Sequence, residues 1–504
     1  MEAICRKPSS TDQGNCTIVK LELCTNGRKS RKMITLFFFI LRANANFVSG
    51  IGLNFFDARN GFKRLVDEIE SIAPERKSLV LTNWIQQPLD HFDAAETRQW
   101  HMRYFVNLEF WKKGGPVFVF LGGEGPASKR LLTTGIMYEM ARETRGAMYA
   151  TEHRYYGRSK PVRGTAAEDF RFLSAKQALA DVARLIRRKR EYPHFADSKF
   201  VVVGGSYAGN LAAWARALYP ELVDAAVASS GPVLAKKDFR EYLEKVRENY
   251  EHYGGAGCLD RIRAAFARYE TLLGSADGID RLREEEGICP ECDMTVPENQ
   301  QVFFISKASP YMIASQYGTV GSVAEHCAAP AGNSSRSFPR SGRSCSDYSF
   351  AAMIEEYRAP ENDWALAWTY QTCTEFGYFQ TTASPAQPFR NVPLSLYVEI
   401  CEALFGAGFD EARVDAGVEA ANALYGGRAP NVSRVVFSNG DMDPWSSLGV
   451  LEDVSYEAPA VLVPRASHCR DLFSDGPVDH EELKQARMHI KYLIKTWIGA
   501  APYV

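Results

Sequence analysis

Charge of one sign is what this sequence most plainly lacks. Its 59 Lys+Arg stand against 61 Asp+Glu, a formal charge of −2 over 504 residues. Such a balance supplies no one-sided field for wrapping nucleic acid or for holding a strongly anionic surface. No internal repeat is visible, so a solenoid or propeller array is not indicated. Gly and Pro number 38 and 24, without the bias of a collagenous or low-complexity chain. Cysteine is missing from residue 25 to residue 257. What is present is ordinary globular material, 46% hydrophobic and 12% aromatic. A chain of this length has room for about two to four domain-sized units, so one large core with a second body beside it is comfortable.

The first 32 residues differ from the rest, with seven basic residues, three acidic ones and three cysteines but no apolar periodicity. They precede the apolar run Ile34 to Leu41, which small and polar residues follow (Ala43, Asn44, Ala45, Asn46). A basic flank, a short apolar run and then small residues form the layout of a secretory signal, and the run is too short to span a bilayer. Read from Met33, the segment is a compact signal peptide with almost no basic flank. Residues 1–50 are therefore expected to be a leader with a signal peptide or anchor, the true start being Met1 or Met33. Membrane contact is expected only if this apolar segment is retained.

Beyond the leader there are eight cysteines, all after residue 250: Cys258, Cys289, Cys292, Cys327, Cys345, Cys373, Cys401 and Cys469. An even number in one region suggests a local disulfide set made in an oxidising compartment. The spacing of Cys289 and Cys292 would also suit zinc or redox chemistry, but a zinc site wants a second such pair or nearby histidines. Two half-cystines with different partners is the favoured reading, and no metal is expected. Asn333 and Asn431 head acceptor sequons for glycosylation in an exported chain; Asn15 heads a third, upstream of the expected mature start.

From Trp84 to Pro232 the pattern alternates strand and helix. Strands are expected at Tyr104 to Leu108, Val117 to Leu121, the stretch beginning Ala147, Lys199 to Gly204 and Val223 to Ser229. Helices are expected around Ile136 and Met140, over Ser174 to Arg190, and over Ala208 to Tyr219. The apolar stripe Ala178, Val182, Leu185 and Ile186 and the cationic end of the second helix are characteristic. Strands that are continuously apolar rather than alternating belong to a mostly parallel sheet covered on both faces. The rhythm breaks at Pro232, turns helical, and resumes at Arg434 to Phe437 and Ala460 to Val463, with a last helix over Glu481 to Ile498. This implies an α/β core in two parts, residues 75–233 and 366–504, with a helical body inserted at 234–365. A body rooted after the strand ending near Ser229 emerges at the carboxyl edge of the sheet, where ligands bind, and would roof a site there.

The stretch "KFVVVGGSYAGNLAAWARALYP" holds the candidate nucleophile. A buried strand ends at Gly204-Gly205, Ser206 follows, and a helix begins within two residues. That is a nucleophile elbow, with the helix N-terminus favouring negative charge. Ala208 stands where the usual pattern has glycine and is still small. A phosphate-binding turn would want a lysine just after the turn, and none is there.

A nucleophilic serine needs a base and an orienting carboxylate. Of the histidines well beyond Ser206, only His468 falls directly after a strand, in "AVLVPRASHCRDLF"; His326 lies in the insertion, and His480 and His489 lie near or within the last helix. For the acid, "RVVF" opens into "SNGDMDPW", which offers Asp441 and Asp443. Pro444 helps fix the loop at Asp443, leaving Asp441 as a helix-cap or loop-bracing residue or else a substitute orienter. An oxyanion would need two donors. One is the N–H of Tyr207, and the other comes from "GGEGP", from Gly123 or Glu124.

Together "NWIQQPLDHFD", "GGEGP", "EHRYYGRS", "FLSAKQALAD", "GGSYAGNLAAWARALYP", "SSGPV", "NGDMDPW" and "SHCRDL" resemble the family of prolyl carboxypeptidase, dipeptidyl peptidase II and thymus-specific serine protease, the serine carboxypeptidase S28 family. The resemblance runs from Trp84 to the last helix. "YQTCTEFGYFQ" and "SHC" look most like the thymus-specific member. In the other two a second histidine stands where this chain has Cys469.

The resemblance implies an α/β-hydrolase fold with a helical cap domain inserted over the active site, and a triad of Ser206, Asp443 and His468. It implies a secreted, lysosomal or endosomal serine exopeptidase acting on short peptides without a cofactor. Characterised members favour the bond on the carboxyl side of proline, one removing a C-terminal residue and another an N-terminal dipeptide. Likeness to the thymus-specific member leaves the proline preference open. Trp445 resembles a residue lining a hydrophobic subsite, and Cys373 and Cys401 resemble a paired set. Glu152 and Arg154 are read as a braced ion pair beside the site, with Glu152 also able to take a substrate amine, and His153 as structural. A lipase or esterase, or a weakly catalytic binding protein on the same scaffold, are the alternatives. Expected partners are short peptides and no nucleic acid, with a homodimer left open.

Overall fold

The computed structural model describes residues 79–328 and 345–500. The expected leader at 1–50 and the Asn333 sequon lie outside the described residues, whereas Asn431 is within them and exposed. No helix of the described residues is long and apolar enough to cross a membrane.

The described residues form ten strands, in chain order β1 Leu81–Pro88, β2 Gln99–Asn107, β3 Val117–Phe120, β4 Ala147–Thr151, β5 Phe200–Gly205, β6 Ala225–Ser229, β7 Lys236–Asp238, β8 Gly377–Phe379, β9 Val435–Gly440 and β10 Ala460–Val463. Eight of them form one sheet in the order β1-β2-β4-β3-β5-β6-β9-β10, and β7 pairs with β8. Only β2 runs against its neighbours in the large sheet; β4, β3, β5, β6, β9 and β10 pair in parallel. This is the α/β-hydrolase arrangement. The antiparallel edge pair differs from the sequence expectation, which had only a short strand near Tyr104. β1 lies at the edge with Leu81 and Trp84 exposed, so it lacks the continuous apolar run that marks the inner strands.

Period-two alternation sorts the inner strands onto two cores. Val117, Val119, Phe200, Val202, Ala226, Val435 and Phe437 pack with Leu179, Val182, Ile186, Leu211 and Trp214. Those come from the helices Ala175–Arg190 and Tyr207–Leu218. The intervening residues Phe118, Phe120, Val201, Val203, Ala225, Val227 and Val436 pack on the other face with Ile136, Met140, Ile490 and Ile494. Their helices are Gly135–Thr144 and Glu481–Trp497. With helices on both faces, β3, β5, β6 and β9 contain no polar face, which is why they read as unbroken apolar segments.

Between β6 and β9 the chain is mostly helical. Among the described residues the helix Pro297–Tyr317 is the longest there, with 21 residues, and its C-terminal end reaches the loops at the carboxyl edge of the sheet. His468 N–H donates to Gln316 O at 2.8 Å. From the helix Glu241–Tyr253, the Asn249 side-chain amide donates to Met442 O at 2.6 Å.

Among the described residues three disulfides form: Cys258–Cys327, Cys289–Cys345 and Cys373–Cys401. Cys292, expected to be a half-cystine, is instead a buried thiol, as is Cys469. Cys292 Sγ lies 3.7 Å from Met294 Sδ, and burial pushes its pKa up to about 11. Among the described residues the one grouping compact enough for a metal is Cys289, Glu291 and Cys345. Both of its sulfurs are spent in the disulfide.

Candidate active site

The turn at Ser206 is built by close approach. β5 runs straight into the helix Tyr207–Leu218, and Ser206 at the junction has φ 60° and ψ −133°. A non-glycine residue at positive φ is a strained conformation that the surroundings must hold. A Cβ on Gly204 would lie 1.9 Å from Ala208 O, and one on Gly209 would lie 2.6 Å from Ser229 O, so neither position accepts a side chain. Ser206 N–H donates to Ser229 O at 3.0 Å, which pins the turn to the end of β6. The half-buried Ser206 is thus presented at the carboxyl edge of the sheet.

Two further loops at that edge bring an acid and a base together. Asp443 follows β9 and is fully buried; its Oδ1 accepts from Trp445 N–H at 3.0 Å and so caps the short turn Pro444–Leu448. Its Oδ2 lies 2.7 Å from His468 Nδ1. His468, after β10, is 1% exposed. Burial drives its pKa down, but the Asp443 carboxylate, with help from Cys469, outweighs that and holds it well above the ordinary value. The other ring nitrogen, Nε2, is buried and meets no hydrogen-bonding partner among the described residues. The base loop lies close to the elbow: a Cβ on Gly205 would come within 3.0 Å of Cys469 Sγ. Asp441 is not part of this pair. Its Oδ1 accepts from Arg465 N–H at 2.6 Å, which braces the two loops against each other.

The loop after β3 passes over the start of the helix Tyr207–Leu218, since a Cβ on Gly123 would sit 3.4 Å from Ala208 Cβ and 3.5 Å from Ala208 N. Gly123 therefore lies beside the first turn of the helix that Ser206 precedes.

A buried hydrogen-bond network fixes Tyr207 from behind, and sequence reasoning found only one of its members, His153. The His153 Nδ1–H donates to Arg154 O at 2.7 Å, so Nε2 is the acceptor for the Tyr207 hydroxyl at 3.0 Å. The Gln371 side-chain N–H donates to Tyr207 Oη at 2.9 Å and to Glu375 Oε2 at 3.0 Å, and Gln371 Oε1 accepts from the Tyr156 hydroxyl at 2.6 Å. Burial lowers the His153 pKa to about 4, consistent with a neutral ring.

Glu152 and Arg154 do not pair, contrary to expectation. Glu152, fully buried, accepts from Arg103, from Ala127 N–H at 3.1 Å, from Arg158 N–H at 3.0 Å and from the Ser159 hydroxyl at 2.8 Å. With four groups on its two oxygens, it has no place for a substrate amine. Arg154 instead forms a two-pronged pair with Asp181 at 2.7 and 2.9 Å, and His91 joins that carboxylate at 2.7 Å. The partners lie on elements too far apart in sequence for local pattern to connect them.

Trp445 is half-buried, its ring centroid 5.4 Å from Tyr378, 5.7 Å from Tyr242 and 6.5 Å from His468. It lines an aromatic cavity with Tyr242, Tyr317, Trp368, Tyr378 and Tyr397, and among the described residues no charged side chain borders that cavity.

A family model described as serine carboxypeptidase S28 matches residues 87–490. The thymus-specific serine protease of Mus musculus is 34% identical over 444 residues, covering 82% of this chain and 87% of the relative. The protein of the same name from Homo sapiens is 34% identical over 463 residues, covering 86% and 89%. The lysosomal Pro-X carboxypeptidase of Bos taurus is 29% identical over 455 residues, covering 82% and 87%.

Proposed function

The chain belongs to the serine carboxypeptidase S28 family, and from that premise we propose how its residues divide the work of a serine exopeptidase that trims short peptides. The observation that carries the assignment is the 2.7 Å contact between buried Asp443 and His468 Nδ1, on loops at the same sheet edge as the strained Ser206. Asp443 orients the ring and stabilises its protonated form. His468 Nε2 takes the Ser206 hydroxyl proton as Oγ attacks the peptide carbonyl. The N–H groups of Tyr207 and Gly123 receive the developing oxyanion. His468 then returns its proton to the leaving amine, an acyl-enzyme remains on Ser206, and water releases the acid by the reverse sequence.

The helices between β7 and β9 act as the cap. Contacts from Gln316 to His468 and from Asn249 to Met442 support a roof that admits short chains and excludes folded ones. The neutral aromatic cavity beside His468, with Trp445 on its wall, suits an apolar ring such as that of proline. Three disulfides and an exposed sequon at Asn431 support an exported, secreted or endolysosomal enzyme. Digestion of a peptide library, read by mass spectrometry, tests this: trimming from one end, enriched at proline, is expected. Internal cutting of folded proteins would refute the roofed-exopeptidase reading.

A further inference from the structure

We infer that the adjacent serines Ser229 and Ser230, at the end of β6, are positioning residues that set the base His468 against the nucleophile Ser206. This rests on the serine-peptidase reading of the site above and adds how the parts of the triad are held in register.

The pair stands where β6 leaves the sheet and opens the segment "SSGPV". β6 lies between β5, which runs into Ser206, and β9, which leads to Asp443. Ser229 is in register with Gly205 on one side and with Ser438 on the other. Its carbonyl accepts from Ser206 N–H at 3.0 Å, and the next N–H, that of Ser230, donates to Ser438 O at 2.6 Å. Two consecutive residues thus join the nucleophile turn to the acid strand through the backbone.

The base cannot be reached in that way, because β10, which precedes it, lies beyond β9 in the sheet. The two serine side chains make the connection. Ser230 Oγ accepts from Cys469 N–H, the peptide directly after His468, at 2.9 Å. The Ser229 hydroxyl donates to Asp471 Oδ1 at 2.5 Å. Ser229, Ser230, Cys469 and Asp471 are each no more than 4% exposed, so losing either bond strands a buried polar group.

The backbone at these points is strained. Ser206, Ser230 and Cys469 have φ of 60°, 47° and 59°, left-handed values that a non-glycine residue keeps only when its surroundings hold it. The bonds of Ser229 and Ser230 tie all three together. His468 itself is held at Nδ1 by Asp443 and at its N–H by Gln316 O, 2.7 and 2.8 Å away. One of these partners belongs to the acid loop and the other to the cap, so the hydrogen-bonded route from base to elbow runs through the two serines.

Two substitutions at one position test the inference. Ser230→Ala and Ser230→Gly both remove the acceptor for Cys469 N–H, but glycine takes a positive φ without strain and alanine does not. If the hydroxyl positions the base, kcat should fall about 10- to 100-fold in both variants, the effect of displacing a catalytic group by up to about 1 Å. KM should change by less than about twofold. A role in stability alone predicts that kcat follows the thermal midpoint, with glycine restoring what alanine loses. That result would overturn the inference, as would wild-type kcat in both folded variants. Ser229→Ala, which removes the second tether, should show the same fall in kcat, and it decides the question if neither variant at Ser230 folds. Fluorophosphonate labelling separates the two levels. An unlabelled wild-type enzyme rejects the nucleophile assignment, whereas a labelled one whose serine variants keep full kcat rejects the positioning role alone.

Discussion

The Gln371 side-chain amide reaches the Tyr207 hydroxyl at 2.9 Å across 164 residues of sequence. Tyr207 is the residue after Ser206, so its backbone N–H, the proposed oxyanion donor, is held by a distant side chain as well as by the elbow. Gln371 also accepts from Tyr156 and donates to Glu375, which leaves none of its hydrogen-bonding groups idle. Replacing Gln371 by Leu should strand at least one buried hydroxyl and cost about 1–3 kcal/mol of stability. If the network positions Tyr207, kcat should fall more than KM rises, as measured on one peptide substrate at saturating concentration. Unchanged kcat in a folded variant would confine Gln371 to a packing role.

Ser206→Ala should abolish turnover by several orders of magnitude while the thermal midpoint barely moves. The change removes the attacking atom and no buried contact of consequence. Peptide hydrolysis and calorimetry on the same preparation check both halves, and normal turnover would sink the nucleophile assignment.

The two aspartates of the "NGDMDPW" loop should behave differently. Asp443→Asn removes the carboxylate that holds the His468 proton and tautomer, and a loss of about 10⁴ in kcat is expected. Asp441→Asn leaves an acceptor for Arg465 N–H, 2.6 Å away in the native loop, and should change kcat little. Equal losses in the two variants would show that loop shape, and not the charge on His468, is what matters.

Much of this site was legible because its parts sit where local pattern changes. The apolar run ending in Gly204-Gly205 and the helix after Ser206 announce the elbow. The strands before Asp443 and His468 place both at one edge. What stayed hidden is made of pairings across sequence: Arg103 with Glu152, Arg154 with Asp181, Gln371 with Tyr207. A neighbouring Glu and Arg in "EHRYYG" suggested a pair to each other. Two positions apart in the chain leaving β4, each is satisfied by a different element. The thiol of Cys292 was unreadable for a similar reason, because the partner of Cys289 proved to be Cys345, 56 residues on.

Glu375 and His153 sit at opposite ends of the network around Tyr207, and their titrations should tilt stability in opposite directions. Burial raises the Glu375 pKa from 4.5 to about 7, although Gln371 and Ala175 N–H both favour its charged form. As pH rises from 4.5 to 7 the unfolded chain releases this proton while the folded chain retains it. Stability from this group is therefore full below 4.5, declines through that window and levels off above 7. Burial lowers the His153 pKa from 6.5 to about 4, against the bond to Arg154 O that raises it. As pH falls from 6.5 to 4 the unfolded chain takes up a proton that the folded chain refuses, so this group costs stability on acidification. The two effects oppose each other between pH 4.5 and 6.5, and above 6.5 only Glu375 still acts. Glu375→Gln should remove the decline that this group causes on alkalinisation and leave the His153 contribution below pH 6.5 unchanged. Urea denaturation of both proteins at half-unit steps from pH 4.5 to 7.5 reads this directly. The expected result is a difference in unfolding free energy between variant and wild type that shifts steadily in favour of the variant up to pH 7 and then stays constant. A difference independent of pH across that range would mean that Glu375 does not hold its proton in the folded protein, and that the network is built around a carboxylate ion.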